Sequence, residues 1–502
     1  MINRRQLLLS ACGLPLARHG AFGAAMAATG ALAAGNATDY KALICVFLHG
    51  GNDAFNTLVA TDNDTWNIYA SLRKQEQDNI ALLRNVAPDK TKAVGSPEWL
   101  GGVLPLTPET PLPASRSFGL HPMLPDLQRL FNDRRRLAVL CNVGPLIEPL
   151  SKQAYLDGSK RKPKKLFSHN DQQSTWQALM PEGATVGWGG RMADILASSN
   201  QRSMFTSISA NGNWMWAAGR TSAMYQVSPN GVIRLGPQAQ AGLPAGKLYG
   251  SARGAQALQR IVSTPASANP MATDLANMAR RSIEADQYLA ASLPPGDQAP
   301  FGPGARLNYT SLNGAQLVNP LAQQLCQVTR FISAARAMGM KRQVFFVGLG
   351  GFDTHNNQNK GQAELLAQLN HALGYLDDTL GALGMQDQVT TFTSSDFGRS
   401  FTSNGDGTDH GWGSHHFIMG GAVRGGRLYG SIPTLGEKNR SNNDFDSSPD
   451  QLTNGVLLPT TSVEQYGATL ARWFGLSDTQ LVDVFPNLPL FPSINGPSFF
   501  KT

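Results

Sequence analysis

The stretch SSDFGRSFTSNGDGTDHGWGSHHF, from Ser394 to Phe417, holds three of the nine histidines of this 502-residue chain together with five glycines. Asp396, His410, His415 and His416 are all capable of binding a metal, and the glycines allow the backbone to bend them toward one point. Two other short stretches have the same character. FLHGGND ends in Asn52 and Asp53, and GLGGFDTH ends in Asp353 and His355. Mixed Asp/His donors suit Zn²⁺, Mn²⁺ or a similar divalent ion, whereas carboxylate with amide oxygen suits Ca²⁺ or Mg²⁺. Carboxylates crowded without a cation raise one another's pKa. The expectation is a centre of one or two divalent ions (Zn²⁺, Mn²⁺ or Ca²⁺) drawn from Asp53, Asp353, His355, Asp396, His410 and His415.

Each cluster follows an apolar run that reads as a buried strand: ALICVFL, RQVFFVGLG and QVTTFTSS, with LAVLCNVG as a fourth. Such continuous runs mark parallel strands covered on both faces. Helical patterns lie between them, in PMLPDLQRLFNDRRR, NPLAQQLCQVTRFISAARAMG, GQAELLAQLNHALGYLDDTLGALG and TTSVEQYGATLARWFG. The alternation predicts a doubly wound, mostly parallel α/β sheet with helices on both faces. In such sheets ligands bind beyond the carboxyl ends of the strands, where the Asp and His residues collect. Residues 38–502 form the α/β domain in this reading. An insertion or cap at about 200–310 is marked by the hairpin pattern MYQVSPNGVIRLG and the loop PPGDQAPFGPG.

The first 37 residues read as an export segment. Arg4 and Arg5 precede a short apolar stretch and then small residues, which points to the twin-arginine export machinery as a partner and to a periplasmic or secreted location. The lesser alternative is a lipoprotein box ending at Cys12. Setting aside Arg4, Arg5 and Arg18, the formal charge of +7 falls to +4, too little for a nucleic-acid partner. No later stretch approaches the roughly 20 apolar residues of a membrane span. Cys45, Cys141 and Cys326 sit in apolar or helical patterns and read as core residues rather than a disulfide or thiolate-metal set.

A nucleophile is harder to place. Ser168, in KLFSHNDQQSTWQAL, precedes a helical pattern, so it is either a helix cap or a hydroxyl in the positive field of a helix start. Thr57 is the alternative, and a metal-bound water is a third. His169 is a candidate general acid or a packing residue. Arg399 could clamp an anionic oxygen or be a surface arginine, and the run KRKPKK at 160–165 could attract an anionic ester substrate. HGG at 49–51 resembles a lipase oxyanion loop, but the chain has no G-x-S-x-G elbow.

The segments FLHGGNDAFNTLV, HPMLPDLQRLFNDRRRLAVLCNVGPL, SHNDQQSTWQ, GWGGRMADIL, GLGGFDTHNNQ, SDFGRSFTSNGDGTDHGWGSHHFIMGGAV and TTSVEQYGATLARWFG resemble the bacterial family known as domain of unknown function 1501. A looser resemblance links that family to the alkaline phosphatase and sulfatase superfamily, which cleaves phosphate or sulfate esters at divalent metals. That resemblance implies an alkaline phosphatase/sulfatase-like fold. It matches Asp53 to the first metal aspartate, Asp353 and His355 to an Asp/His pair, Asp396 to the aspartate of an Asp-His dyad, and His410 or His415 to the late histidine. Phe397 departs from the pattern, standing where the dyad's histidine should be. The implied function is an exported metal-dependent hydrolase of a phosphate or sulfate ester. The rival is an inactive envelope binding or assembly protein that keeps a structural metal.

Overall fold

The computed structural model describes residues 40–74, 79–229, 231–232, 251–264, 269–493 and 496–501. The export segment, with Arg4, Arg5 and Cys12, lies outside them. The strands that matter here are β1 (Lys41–His49), β2 (Leu137–Gly144), β3 (Ser207–Ser209), β4 (Tyr225–Ser228), β5 (Gly231–Val232), β6 (Arg342–Gly350), β7 (Val389–Ser395), β8 (Arg399–Ser403), β9 (Thr408–His410), β10 (Ser414–Met419), β11 (Leu428–Tyr429) and β12 (Thr461–Ser462). The helices are α1 (Ala54–Thr57), α2 (Asn63–Arg73), α3 (Pro125–Asn132), α4 (His169–Ala178), α5 (Trp188–Leu196), α6 (Ala252–Ser263), α7 (Pro270–Ser292), α8 (Pro320–Ala334), α9 (Gln358–Leu383) and α10 (Val463–Phe474).

Ten of the described strands form one sheet, ordered β11-β2-β10-β7-β1-β6-β3-β4-β5, with β12 also on β2. The four expected strands are all present. β7, β1, β6, β3 and β4 run parallel, while β10 pairs antiparallel with both β7 and β2. Along β1, Ala42, Ile44, Val46 and Leu48 pack with α8 and α9 on one face. Leu43, Cys45 and Phe47 pack with α5 and α10 on the other. The fold is therefore a doubly wound α/β sheet covered by helices on both sides. A one-residue slip would exchange these two sets of side chains, so burial on both faces pins the register.

The expected helices form as α3, α8, α9 and α10. Asn319 caps α8 ahead of Pro320, and Ser462 and Gln465 make a capping box on α10. Cys45, Cys141 and Cys326 are free and buried. Within 200–310, β3 and β4 extend the main sheet, β4 and β5 pair antiparallel as a hairpin, and helices α6 and α7 follow. Among the described residues no helix is long and apolar enough to cross a membrane.

The order β7-β1-β6 sets three chain reversals side by side, with His49 opposite Gly350 and Leu48 opposite Ser395. Gly50 is what lets the first and second reversals meet. Its φ is +114°, and a Cβ there would stand 2.4 Å from the backbone nitrogen of Asp353. Gly50→Ala is accordingly expected to lower stability by about 2–4 kcal/mol, from positive-φ strain and overpacking, as read by urea unfolding.

Candidate metal centre

Three chain segments meet above these strand ends. α4 begins at His169, the turn after β6 carries Asp353 and His355, and Asp396 follows β7 directly. From Asp396 the chain enters the hairpin β8–β9, whose register sets Arg399 opposite His410. The bend at 404–407 closes this hairpin, so the glycines of GDGTD lie in the turn while Thr408 and Asp409 already belong to β9.

Hydrogen bonds fix what each imidazole presents. His169 Nδ1 lies 2.7 Å from Asp396 Oδ2, and His410 Nδ1 lies 2.7 Å from the carbonyl oxygen of Phe167. Both partners can only accept, so each Nδ1 carries the proton and each Nε2 of a neutral ring is a lone pair. Those lone pairs converge on one carboxylate. His169 Nε2 is 3.3 Å from Asp353 Oδ2, and His410 Nε2 is 3.4 Å from Asp353 Oδ1. One ligand atom from each of His169, Asp353 and His410 lies within 4.8 Å of the others. His355 Nε2 lies at the edge of this group, 2.9 Å from His410 Nε2 and 3.1 Å from Asp353 Oδ1.

Acceptors gathered this closely repel unless a proton or a cation sits among them. His169 Nε2 is buried and makes no hydrogen bond, the state of an atom waiting for such a partner. The residues thus fit a divalent ion. The bond to Asp396 holds the His169 pKa above its ordinary value against the effect of burial. Burial pushes His410 down. Burial pushes Asp353 up, but the hydrogen bond and charge of Arg399, with His169 and His355, outweigh it and hold this carboxyl below its usual range.

The supporting groups are buried. Asp396 is fully enclosed and its Oδ2 also accepts from Gln173 Nε2 at 2.8 Å. His169 and Gln173 sit four apart on α4, hence on one face of the helix. Phe397, equally enclosed, packs against both imidazoles, its ring centroid 4.8 Å from His169 and 4.6 Å from His410. The imidazole that reaches Asp396 is thus His169, from a segment 227 residues away in sequence, and position 397 offers none. Sequence reasoning named His169 as a general acid or packing residue, not as a member of the metal-capable group, and did not single out Gln173. The only signal was their i, i+4 spacing at a helix start.

Several expected residues are engaged elsewhere. Asp53 is not turned toward the cluster: it accepts from Arg73 on both oxygens, from Gln358 Nε2 at 2.6 Å, and from the backbone of Phe55 at the start of α1. His415 is on β10, where its Nδ1 accepts from the backbone of Asn142 and burial lowers its pKa to about 4. Its neighbour His416 packs on Trp176, and burial takes it to about 3. Thr57 is buried and bonded to Asn52 and to the carbonyl of Asp53, so it is no accessible nucleophile. Ser168 stands at the N-cap of α4, but its hydroxyl donates to Asp171 Oδ2 at 2.9 Å instead of capping the backbone. Arg399 is buried rather than on the surface. It bonds Thr408, the carbonyl of Gly50 and Asp353, leaving no free fork for an anion.

A cleft of about 280 Å³ opens beside His410, with Tyr155, Leu156, Phe167, Asp444 and Asn454 in its walls. Asp353 and His355 are about 40% exposed, so the cluster is reachable from outside (43% and 42%).

Among solved structures, Ps i-CgsB in complex with k-i-k-neocarrahexaose is 10% identical, with a TM-score of 0.33, over 90% of this chain and 76% of its own. The PsFucS1 sulfatase from Pseudoalteromonas sp. is 9% identical with a TM-score of 0.31, over 91% and 72%. The lipoteichoic acid synthase LtaP from Listeria monocytogenes is 9% identical with a TM-score of 0.25, over 81% and 72%. No curated protein matches the chain. The model of the family described as "Protein of unknown function (DUF1501)" matches residues 40–485, and the chain belongs to that family.

Proposed function

We propose that this chain is an exported, metal-dependent hydrolase of an anionic phosphate or sulfate ester. The observation that carries this reading is the convergence of His169 Nε2, His410 Nε2 and the Asp353 carboxylate, each imidazole held in the tautomer that ligation needs. Two or three imidazoles with one carboxylate favour Zn²⁺, Mn²⁺ or another transition metal over Ca²⁺, which takes oxygen ligands. Bound here, the ion supplies Lewis acidity, drawing electron density from the ester oxygens and offsetting charge that develops on them.

The chain's own residues do the rest. Asp396 and Gln173 aim His169, the Phe167 carbonyl aims His410, and Arg399 holds Asp353. The cleft beside His410 would receive the alcohol half of the ester. Ser168 is the hydroxyl directly before His169, and Asp171 is placed to take its proton. The paired arginines of the N-terminal segment support export by the twin-arginine route. The presence of His169 on Asp396 favours an active centre over an inactive relic, because Phe397 no longer means a missing imidazole.

Turnover of p-nitrophenyl phosphate and p-nitrophenyl sulfate, with Zn²⁺ or Mn²⁺ added, tests the reading. Wild type should hydrolyse one of them and Asp353→Ala should fall to the metal-free rate. Equal rates in the two proteins would sink the proposal. Ser168→Ala then separates attack by its hydroxyl, which the variant would abolish, from attack by water, which it would spare.

A further inference from the structure

Asp53 makes no contact with the cluster, yet an unbroken line of buried side chains runs from it to Asp353. Asp53, Gln358, Thr408 and Arg399 are all essentially inaccessible to solvent. Gln358 Nε2 donates to Asp53 Oδ2 at 2.6 Å, and Thr408 Oγ1 donates to Gln358 Oε1 at 2.7 Å. Arg399 Nε donates to Thr408 Oγ1 at 3.2 Å, and its terminal nitrogen donates to Asp353 Oδ1 at 2.8 Å.

The direction of every link follows from the first. A carboxylate can only accept, so the amide of Gln358 must turn its nitrogen to Asp53 and its oxygen to Thr408. The Thr408 hydroxyl must then spend its one proton on Gln358, which leaves its lone pairs for Arg399. Arg399 is thereby held side-on, with one terminal nitrogen directed at Asp353 and the carbonyl of Gly50. Thr354, one residue beyond Asp353, joins the same line by donating to Gln358 Oε1 at 3.3 Å. At its far end Asp53 is fixed by Arg73, whose guanidinium lies among the rings of Phe55, Tyr69 and Phe401.

We propose that Asp53, Gln358, Thr408 and Arg399 are positioning residues that set the orientation of Asp353 and so tune the affinity of the metal centre from a distance. This rests on the reading of His169, Asp353 and His410 as metal ligands. Outer groups of this kind change metal affinity by about 10–100-fold when removed.

The test breaks the line at its middle with little change of shape. Thr408→Val removes the hydroxyl and Thr408→Ser keeps it. Zn²⁺ titration against the whole protein should show binding weakened about 10–100-fold in Thr408→Val and restored in Thr408→Ser. The visible absorption of the Co²⁺-loaded protein should shift in the first and return in the second. A merely structural hydroxyl would lower the melting temperature without moving that spectrum. Wild-type affinity and spectrum in Thr408→Val would overturn the positioning role alone. Failure of wild type to bind Zn²⁺ or Co²⁺ would overturn the metal centre with it.

Discussion

His410→Ala and His169→Ala are each expected to empty the metal centre. Elemental analysis of protein purified without chelator should fall from about one equivalent of a transition metal to near zero. Both substitutions remove a lone pair aimed at Asp353, and no other described imidazole is placed to substitute for His169. Thermal unfolding gives a second reading of the same event. An ion that binds only the folded chain stabilises it by about 2.7 kcal/mol at a concentration of 100 Kd. Added Zn²⁺ should therefore raise the wild-type transition, EDTA should lower it, and the two alanine variants should respond to neither. Variants that keep full metal content would falsify the assignment of these donors.

Arg73→Ala is expected to be the most damaging single change outside the metal centre, at about 3–5 kcal/mol in urea unfolding. Arg73 and Asp53 are both fully enclosed, and the guanidinium also satisfies the carbonyls of Ser400 and Phe401 and the amide oxygen of Asn56. Losing it would strand a charged carboxylate in the core. The damage comes from that stranded charge more than from lost attraction, so Arg73→Met with Asp53→Asn should recover a large part of the loss. A double variant no more stable than Arg73→Ala would show that the carbonyl contacts dominate instead.

The contrast between Asp53 and Asp396 shows where sequence reading stops. Both follow buried apolar strands, and both were legible as strand-end carboxylates because continuous apolar runs betray strands covered on two sides. What separates them is a partner that no local pattern reveals. Arg73, at the end of α2, folds inward onto Asp53, while Asp396 meets a helix start from a distant segment. His415 and His416 were read as members of a loop. They lie on β10, where His415 accepts from the backbone of Asn142 and His416 packs on Trp176, so both are engaged away from the centre. His410 stayed legible, because the glycines around it form a hairpin that carries it toward the strand ends. Phe397 was ambiguous alone, since a ring between two imidazoles and a ring replacing one look the same in sequence.

The scattering of the donors along the chain also bears on timing. Phe167, whose carbonyl orients His410, lies 243 residues before it. At synthesis rates of about 5–20 residues per second, roughly 12–50 s separate the two on the ribosome. For most of that interval His169 lacks Asp353, and for all of it the cluster lacks His410. On the proposed reading, the full donor set is assembled only in a chain that has been made past residue 410 and has closed its sheet. Metal occupancy in a population of these molecules would then count how many had finished folding, and a truncated chain would carry none.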